Sequence, residues 1–286
     1  MLSGMDDMLG MGLAAIFGLM IGSFLNVAIY RLPKMMEMQW EREAAAISNP
    51  TAQDAGPPLE SFNLWVPRSR CGQCGHAIAW YENIPVFSYL FLRARCSSCS
   101  TPISFRYPAI ELITAGLAAY CAHRWGLTLE GLTWFGFCAA LLTLAMIDFD
   151  TTLLPDDITL PLLWAGLLAA ALRWTGVPLL DALWGAVGGY LSLWSVYWAF
   201  KLITGKEGMG YGDFKLLAAL GAWFGWQALV PIVLVSSLIG AVIGIVMKLT
   251  KHLQDGQPIP FGPFLAGAGF VALFFGPQSL LKAIGL

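Results

Sequence analysis

The stretch Met8–Tyr30 reads MLGMGLAAIFGLMIGSFLNVAIY, 23 residues without a charge between Asp7 and Arg31. A helix of about 20 apolar residues spans a bilayer core, so this stretch alone suffices for one crossing. The only charges before it are Asp6 and Asp7, not the basic n-region of a secretory signal. No small-residue cleavage site follows, and the expectation is an uncleaved span. Working outward, seven further apolar runs occupy about 107–123, 129–147, 158–173, 182–202, 214–228, 229–247 and 263–283. Leu216–Met247 carries no charge and is too long for one span; Gly225, Gln227 and Pro231 supply the turn that divides it.

Composition agrees. Of 286 residues, 57% are hydrophobic and only 12% charged, with a mean hydropathy of +0.67. Soluble domains are about 25% charged, so a soluble enzyme, a disordered chain and a disulfide-framed secreted domain are excluded. Net charge −2 without a long basic run excludes nucleic-acid binding. The expected fold is an all-α polytopic membrane protein of about eight transmembrane helices with a cytoplasmic zinc-binding loop domain. Its parts are a first helix (1–30), a loop domain (31–106) and a membrane core (107–286). With the loop inside, thirteen of sixteen Lys and Arg residues fall on the cytoplasmic side, as the positive-inside rule requires. Residues 36–59 read as helix followed by a flexible linker with Asn49-Pro50 and Pro57-Pro58.

Two clusters carry chemistry. Cys71-x-x-Cys74 and Cys96-x-x-Cys99, 21 residues apart, offer four thiolates for a closed tetrahedral zinc site of structural kind. Gly72 and Gly75 ease the first knuckle. Disulfides are the alternative, disfavoured in a reducing compartment. His76 reads as a neighbour of a complete set, and Cys121 and Cys138 as packing residues.

The second cluster is acidic. Helix three ends in Ile147-Asp148-Phe149-Asp150, where negative charge opposes the helix dipole and needs another reason. Asp156 and Asp157 precede the next run as caps. Gly208-Met209-Gly210-Tyr211-Gly212-Asp213-Phe214-Lys215 opens helix six, its glycines allowing bend and close approach. Topology puts Asp148 and Asp213 on one membrane face. Two carboxylates held together share a proton, the arrangement that activates water and protonates a carbonyl oxygen. A proton or ion pathway in a transporter uses the same residue type, but neither aspartate lies at mid-membrane and no inverted repeat is visible.

Taken in order, these motifs resemble a known family. Gly22-Ser23-Phe24-Leu25-Asn26-Val27 with Tyr30-Arg31-Leu32-Pro33 is similar to the N-terminal signature of bacterial type IV prepilin peptidases. The cysteine pairs, the Asp148 segment ending Leu154-Pro155-Asp156, the Gly210–Lys215 segment and Pro260-Phe261-Gly262-Pro263-Phe264 follow in the family's order, over about residues 8 to 270. The resemblance implies a G-x-G-D aspartic peptidase of the bacterial inner membrane. Such enzymes remove the short basic leader from prepilins or type II secretion pseudopilins at the cytoplasmic face. Many also methylate the new N-terminal residue with S-adenosylmethionine. The resemblance implies Asp148 and Asp213 as the catalytic pair, with Asp148 preferred over Asp150 because the family's first aspartate stands seven residues before the proline, here Pro155. Gly210, Gly212 and Lys215 are the supporting motif residues. The alternative within the family is a peptidase without the methyltransferase. Membrane lipid is the remaining expected partner.

Overall fold

The computed structural model describes residues 2–48, 62–250 and 259–283. The linker portion of 36–59, from residue 49 on, and Lys251 of the basic-residue count lie outside them. Among the described residues, ten α-helices run in chain order: α1 (Leu2–Ser48), α2 (Phe87–Phe91), α3 (Arg106–Trp125), α4 (Leu129–Thr151), α5 (Asp156–Ala171), α6 (Leu179–Thr204), α7 (Tyr211–Phe224), α8 (Leu229–Leu249), α9 (Gly262–Phe275) and α10 (Pro277–Ala283). No β-strand forms among the described residues. Seven of the eight apolar runs read from the sequence each correspond to one helix, and the last to two. Among the described residues, four helical stretches are long and apolar enough to cross a membrane: Asp7–Ser48, Leu129–Thr151, Leu179–Thr204 and Trp226–Leu249. The chain is thus an α-helical membrane protein. The helices of the other four runs fall short of that length or apolarity.

The division of 216–247 occurs at Gly225, whose φ of +81° ends α7 before a 3-10 turn at Trp226–Ala228. The last run, by contrast, is not one helix. Gly276 takes φ +78° and Pro277 follows, so α9 stops and α10 begins; a left-handed glycine followed by proline is a strong helix terminator. Helix α1 runs on as helix well past Arg31 to Ser48.

Two compact units are present, Met1–Ala139 and Ala140–Leu286. In the first, α1 lies against α3 through two glycines one turn apart. A Cβ on Gly18 would sit 2.7 Å from the Ala115 Cα, and one on Gly22 2.7 Å from the Glu111 Cα, so the backbones meet directly. Asn26 donates to the Gly22 and Tyr107 carbonyls (3.2 and 3.1 Å). The buried Arg31 donates to the Asn63 and Pro67 carbonyls (2.7 and 2.6 Å), fastening the loop to α1. A buried glutamate escaped the sequence reading: Glu111 accepts the Val86 N–H at 2.8 Å and a bond from Ser23, which accounts for an acid inside an apolar run.

In the second unit α7 is the core, buried at Asp213, Phe214 and throughout Leu216–Phe224. Gly185 of α6 meets Gly221 of α7 backbone to backbone, and Gly189 meets the Leu217 carbonyl. Trp223 fills the space beside Gly166 of α5 and donates its indole N–H to the Leu162 carbonyl at 2.9 Å. Gly269 of α9 receives Leu220 and Leu141. Helix α7 is therefore gripped by α5, α6 and α9, which leaves its first turn a fixed platform.

Candidate active site

Asp148 stands on the last turn of α4, where the helix's own dipole disfavours a carboxylate. It is nonetheless buried, only 4% exposed, whereas Asp150 two residues on is exposed. The compensation comes from α9. Gly262 opens that helix, so its N–H has no intrahelical acceptor; it donates to Asp148 Oδ2 at 2.9 Å in a buried contact. A Cβ at residue 262 would lie 2.6 Å from Oδ2, so a larger residue must displace the carboxylate or the start of α9. In the sequence Gly262 is one residue of Pro260-Phe261-Gly262-Pro263-Phe264, where nothing local marks it as a partner of Asp148.

Asp213 sits in the first turn of α7 and is 7% exposed. The two carboxyl groups lie within electrostatic reach, the charge of Asp148 acting on Asp213. Tyr197, Tyr211 and Phe214 pack around this helix start, their centroids 5.2 to 5.7 Å apart. The α6–α7 loop is closed by Lys201, which donates to Glu207 at 2.8 Å and to the Tyr197 hydroxyl at 3.2 Å. That bond holds Glu207 below the usual carboxylate range.

The motif glycines divide by role. A Cβ on Gly212 would meet the Leu154 Cβ at 2.6 Å, so this glycine lets α7 touch the loop that follows Asp148. A Cβ on Gly208 would meet Phe200 at 2.9 Å. Gly210 has ordinary extended angles (φ −81°, ψ 151°), and its Cβ would meet Asp213 Oδ2 at 3.8 Å and the Gly212 nitrogen at 4.0 Å, both ordinary contacts. Gly212→Ala is therefore expected to destabilise the fold by about 1–3 kcal/mol through overpacking, and Gly210→Ala by less than about 0.5 kcal/mol. Thermal unfolding in detergent checks both; equal melting temperatures would show that Leu154 yields.

Lys215 binds both oxygens of Asp156 at 2.7 Å, an inter-helix pair between α7 and α5. Asp156 is accordingly not the cap expected of it: Pro155 holds the N-cap position and no side chain caps α5. The pair is partly exposed and contributes about 0–1 kcal/mol.

The cysteine cluster lies in the first unit. Cys71, Cys74, Cys96 and Cys99 have sulfurs all within 4.8 Å of one another, and none of the four is disulfide-bonded. Zn–S bonds of about 2.3 Å place tetrahedral sulfurs about 3.8 Å apart, and the Cys71 and Cys99 sulfurs are separated by 3.8 Å. The knuckles share one hydrogen-bond pattern. Gly75 donates to the Cys71 carbonyl and Cys71 to that of His76; Ser100 donates to Cys96 and Cys96 to Thr101. Gly75 and Ser100 hold the corresponding positive φ, +71° and +59°. Gly72 needs no such freedom. His76 turns to Glu82 at 3.2 Å rather than completing the cluster. Bonds from Ser97 and the Ala79 N–H keep Glu82 below the usual carboxylate range.

Fold and site together define a helical membrane protein with a buried pair of carboxylates and a four-cysteine metal-type cluster. Residues 16–125 match the family model described as the bacterial peptidase A24 N-terminal domain, and 135–245 that of the type IV leader peptidase family. A protein of Aeromonas hydrophila named prepilin leader peptidase/N-methyltransferase is 54% identical over 270 residues, 92% of this chain and 90% of its own. Proteins of the same name from Stutzerimonas stutzeri and Pseudomonas aeruginosa are each 52% identical, covering 93% and 92% of this chain and 90% and 89% of their own. The chain belongs to the type IV leader peptidase family. No solved structure matches it.

Proposed function

We propose that this chain is a prepilin leader peptidase and N-methyltransferase whose proteolytic pair is Asp148 and Asp213. The observation that carries the reading is the burial of both carboxylates in one compact unit, within electrostatic reach, inside the family-matched region. One carboxylate takes a proton from the attacking water while the other gives one to the scissile carbonyl oxygen. The Gly262 bond fixes Oδ2 of Asp148, so proton transfer there falls to Oδ1. Gly212 and the Lys215–Asp156 pair hold the two aspartate-bearing segments together, and Gly210 leaves room for an extended substrate backbone. The substrate's apolar segment lies in the membrane and its basic leader in the cytoplasm, which brings the bond to the membrane edge. Pseudopilins of type II secretion present the same chemistry.

In this reading 1–30 is the first inner-membrane helix, 31–106 a cytoplasmic domain and 107–286 the peptidase core. S-adenosylmethionine supplies the methyl group. The described residues form no β-strand, so no strand-to-helix glycine cradle for that cofactor exists among them. The four cysteines fit a structural zinc ion, with no position left open to substrate. Purified protein is expected to carry one zinc per chain, lost on Cys74→Ser, by metal analysis. Four free thiols without metal would sink that assignment.

The function itself is tested by co-expressing the chain with one prepilin and measuring the pilin's intact mass. A product shortened by its leader and heavier by one methyl group supports the reading. Full-length prepilin overturns it, and a cleaved, unmethylated pilin overturns the transferase half alone.

A further inference from the structure

Between the two cysteine knuckles lies Trp80-Tyr81-Glu82-Asn83-Ile84-Pro85-Val86-Phe87-Ser88-Tyr89-Leu90-Phe91. Trp80, Ile84, Phe87 and Phe91 are spaced like one helix face, although the chain forms a 3-10 turn at Trp80–Asn83 and then α2. That stripe faces outward: Trp80 is 81% exposed, Phe91 85%, and Tyr81, Phe87 and Leu90 are exposed as well. An extramembrane domain that left these rings in water would forgo a large burial term, so something apolar covers them.

Three observations say what. First, the loop is held low against the membrane-length helix α1. Trp65 stacks on Phe24 (5.8 Å, 29° between planes), and Phe24 lies seven residues inside Arg31, about 10 Å down α1. Second, the Val86 N–H, in the middle of the stripe, is bonded to Glu111, five residues into α3. The stripe therefore lies beside the start of α3, where Glu111 packs on Gly22 of the membrane-length helix α1. Third, residues 62–106 hold five arginines and one acidic residue, Glu82. Arg93 and Arg95, both exposed, follow Phe91 directly. Aromatic side chains flanked by arginine are the composition of an interfacial segment on anionic lipid.

We propose that Trp80–Phe91 lies in the membrane–water interface as an in-plane anchor, its rings among acyl chains and its arginines on anionic phospholipid headgroups. The anchor sets the height of both cysteine knuckles above the bilayer. This inference rests on the membrane embedding of the chain, not on the peptidase assignment.

The test places p-benzoylphenylalanine at Phe87, at Phe91 or at the polar, exposed Ser98 of the second knuckle. The full chain is irradiated in the inner membrane of cells that also make a prepilin. Membrane insertion and helical circular dichroism confirm that each variant is intact. Phospholipid adducts at Phe87 and Phe91, lost at Ser98, are expected. Adducts to the prepilin or to other parts of this chain overturn the proposal, as do equal lipid adducts at all three positions or none at any.

Discussion

Asp148→Asn and Asp213→Asn are each expected to lower leader cleavage by about 10²–10⁴-fold, the range for removing a positioned acid or base. Asparagine keeps the shape of the side chain and can still accept the Gly262 N–H, so the surrounding contacts survive. It cannot take up or release the proton that peptide hydrolysis requires. The same substitution removes one of two mutually repelling carboxylates from a buried site, so folding stability should hold or rise. The signature is thus lost cleavage with an unchanged or higher melting temperature, read by intact pilin mass and thermal unfolding in detergent. Asp150→Asn is the control, because that side chain is exposed and two residues away. Full cleavage by either dyad variant would sink the assignment, whatever the family resemblance.

Much of this was legible in the sequence because its carriers are local. Apolar runs became helices where charge was absent, and the C-x-x-C spacing by itself brings two sulfurs to one side of a turn. The break of the last run was also present, in Gly276-Pro277, but hydropathy reads through a two-residue terminator. What stayed hidden was long-range contact between groups with no pattern in sequence. Lys215 and Asp156 are 59 residues apart, and their pairing replaces the cap expected of Asp156. The glycines of residues 208–212 look alike in a row. Only their neighbours, Phe200 for one and Leu154 for another, separate those that pack from the one that does not.

The contact least visible in sequence joins a side chain to a backbone N–H 114 residues away, and it yields the second large effect. Gly262→Ala is expected to lower the rate of cleavage by about 10²-fold, the cost of misplacing a reacting group by about 1 Å. The new methyl group would lie 2.6 Å from Oδ2 and 3.0 Å from Cγ of Asp148, so either the carboxylate or the start of α9 must move. Loss of helix cannot be the cause, since alanine favours a helix over glycine by about 1 kcal/mol. Because Gly262 holds the dyad rather than the leader, kcat should fall while KM stays near its original value. Gly267→Ala on the same helix has nothing within 4 Å of its Cβ and should cleave normally. Normal kcat in Gly262→Ala, or an equal loss in Gly267→Ala, would show the contact to be incidental. If kcat alone falls, the first turn of α9 belongs to the catalytic apparatus, although it lies beyond the residues matched by the peptidase family model.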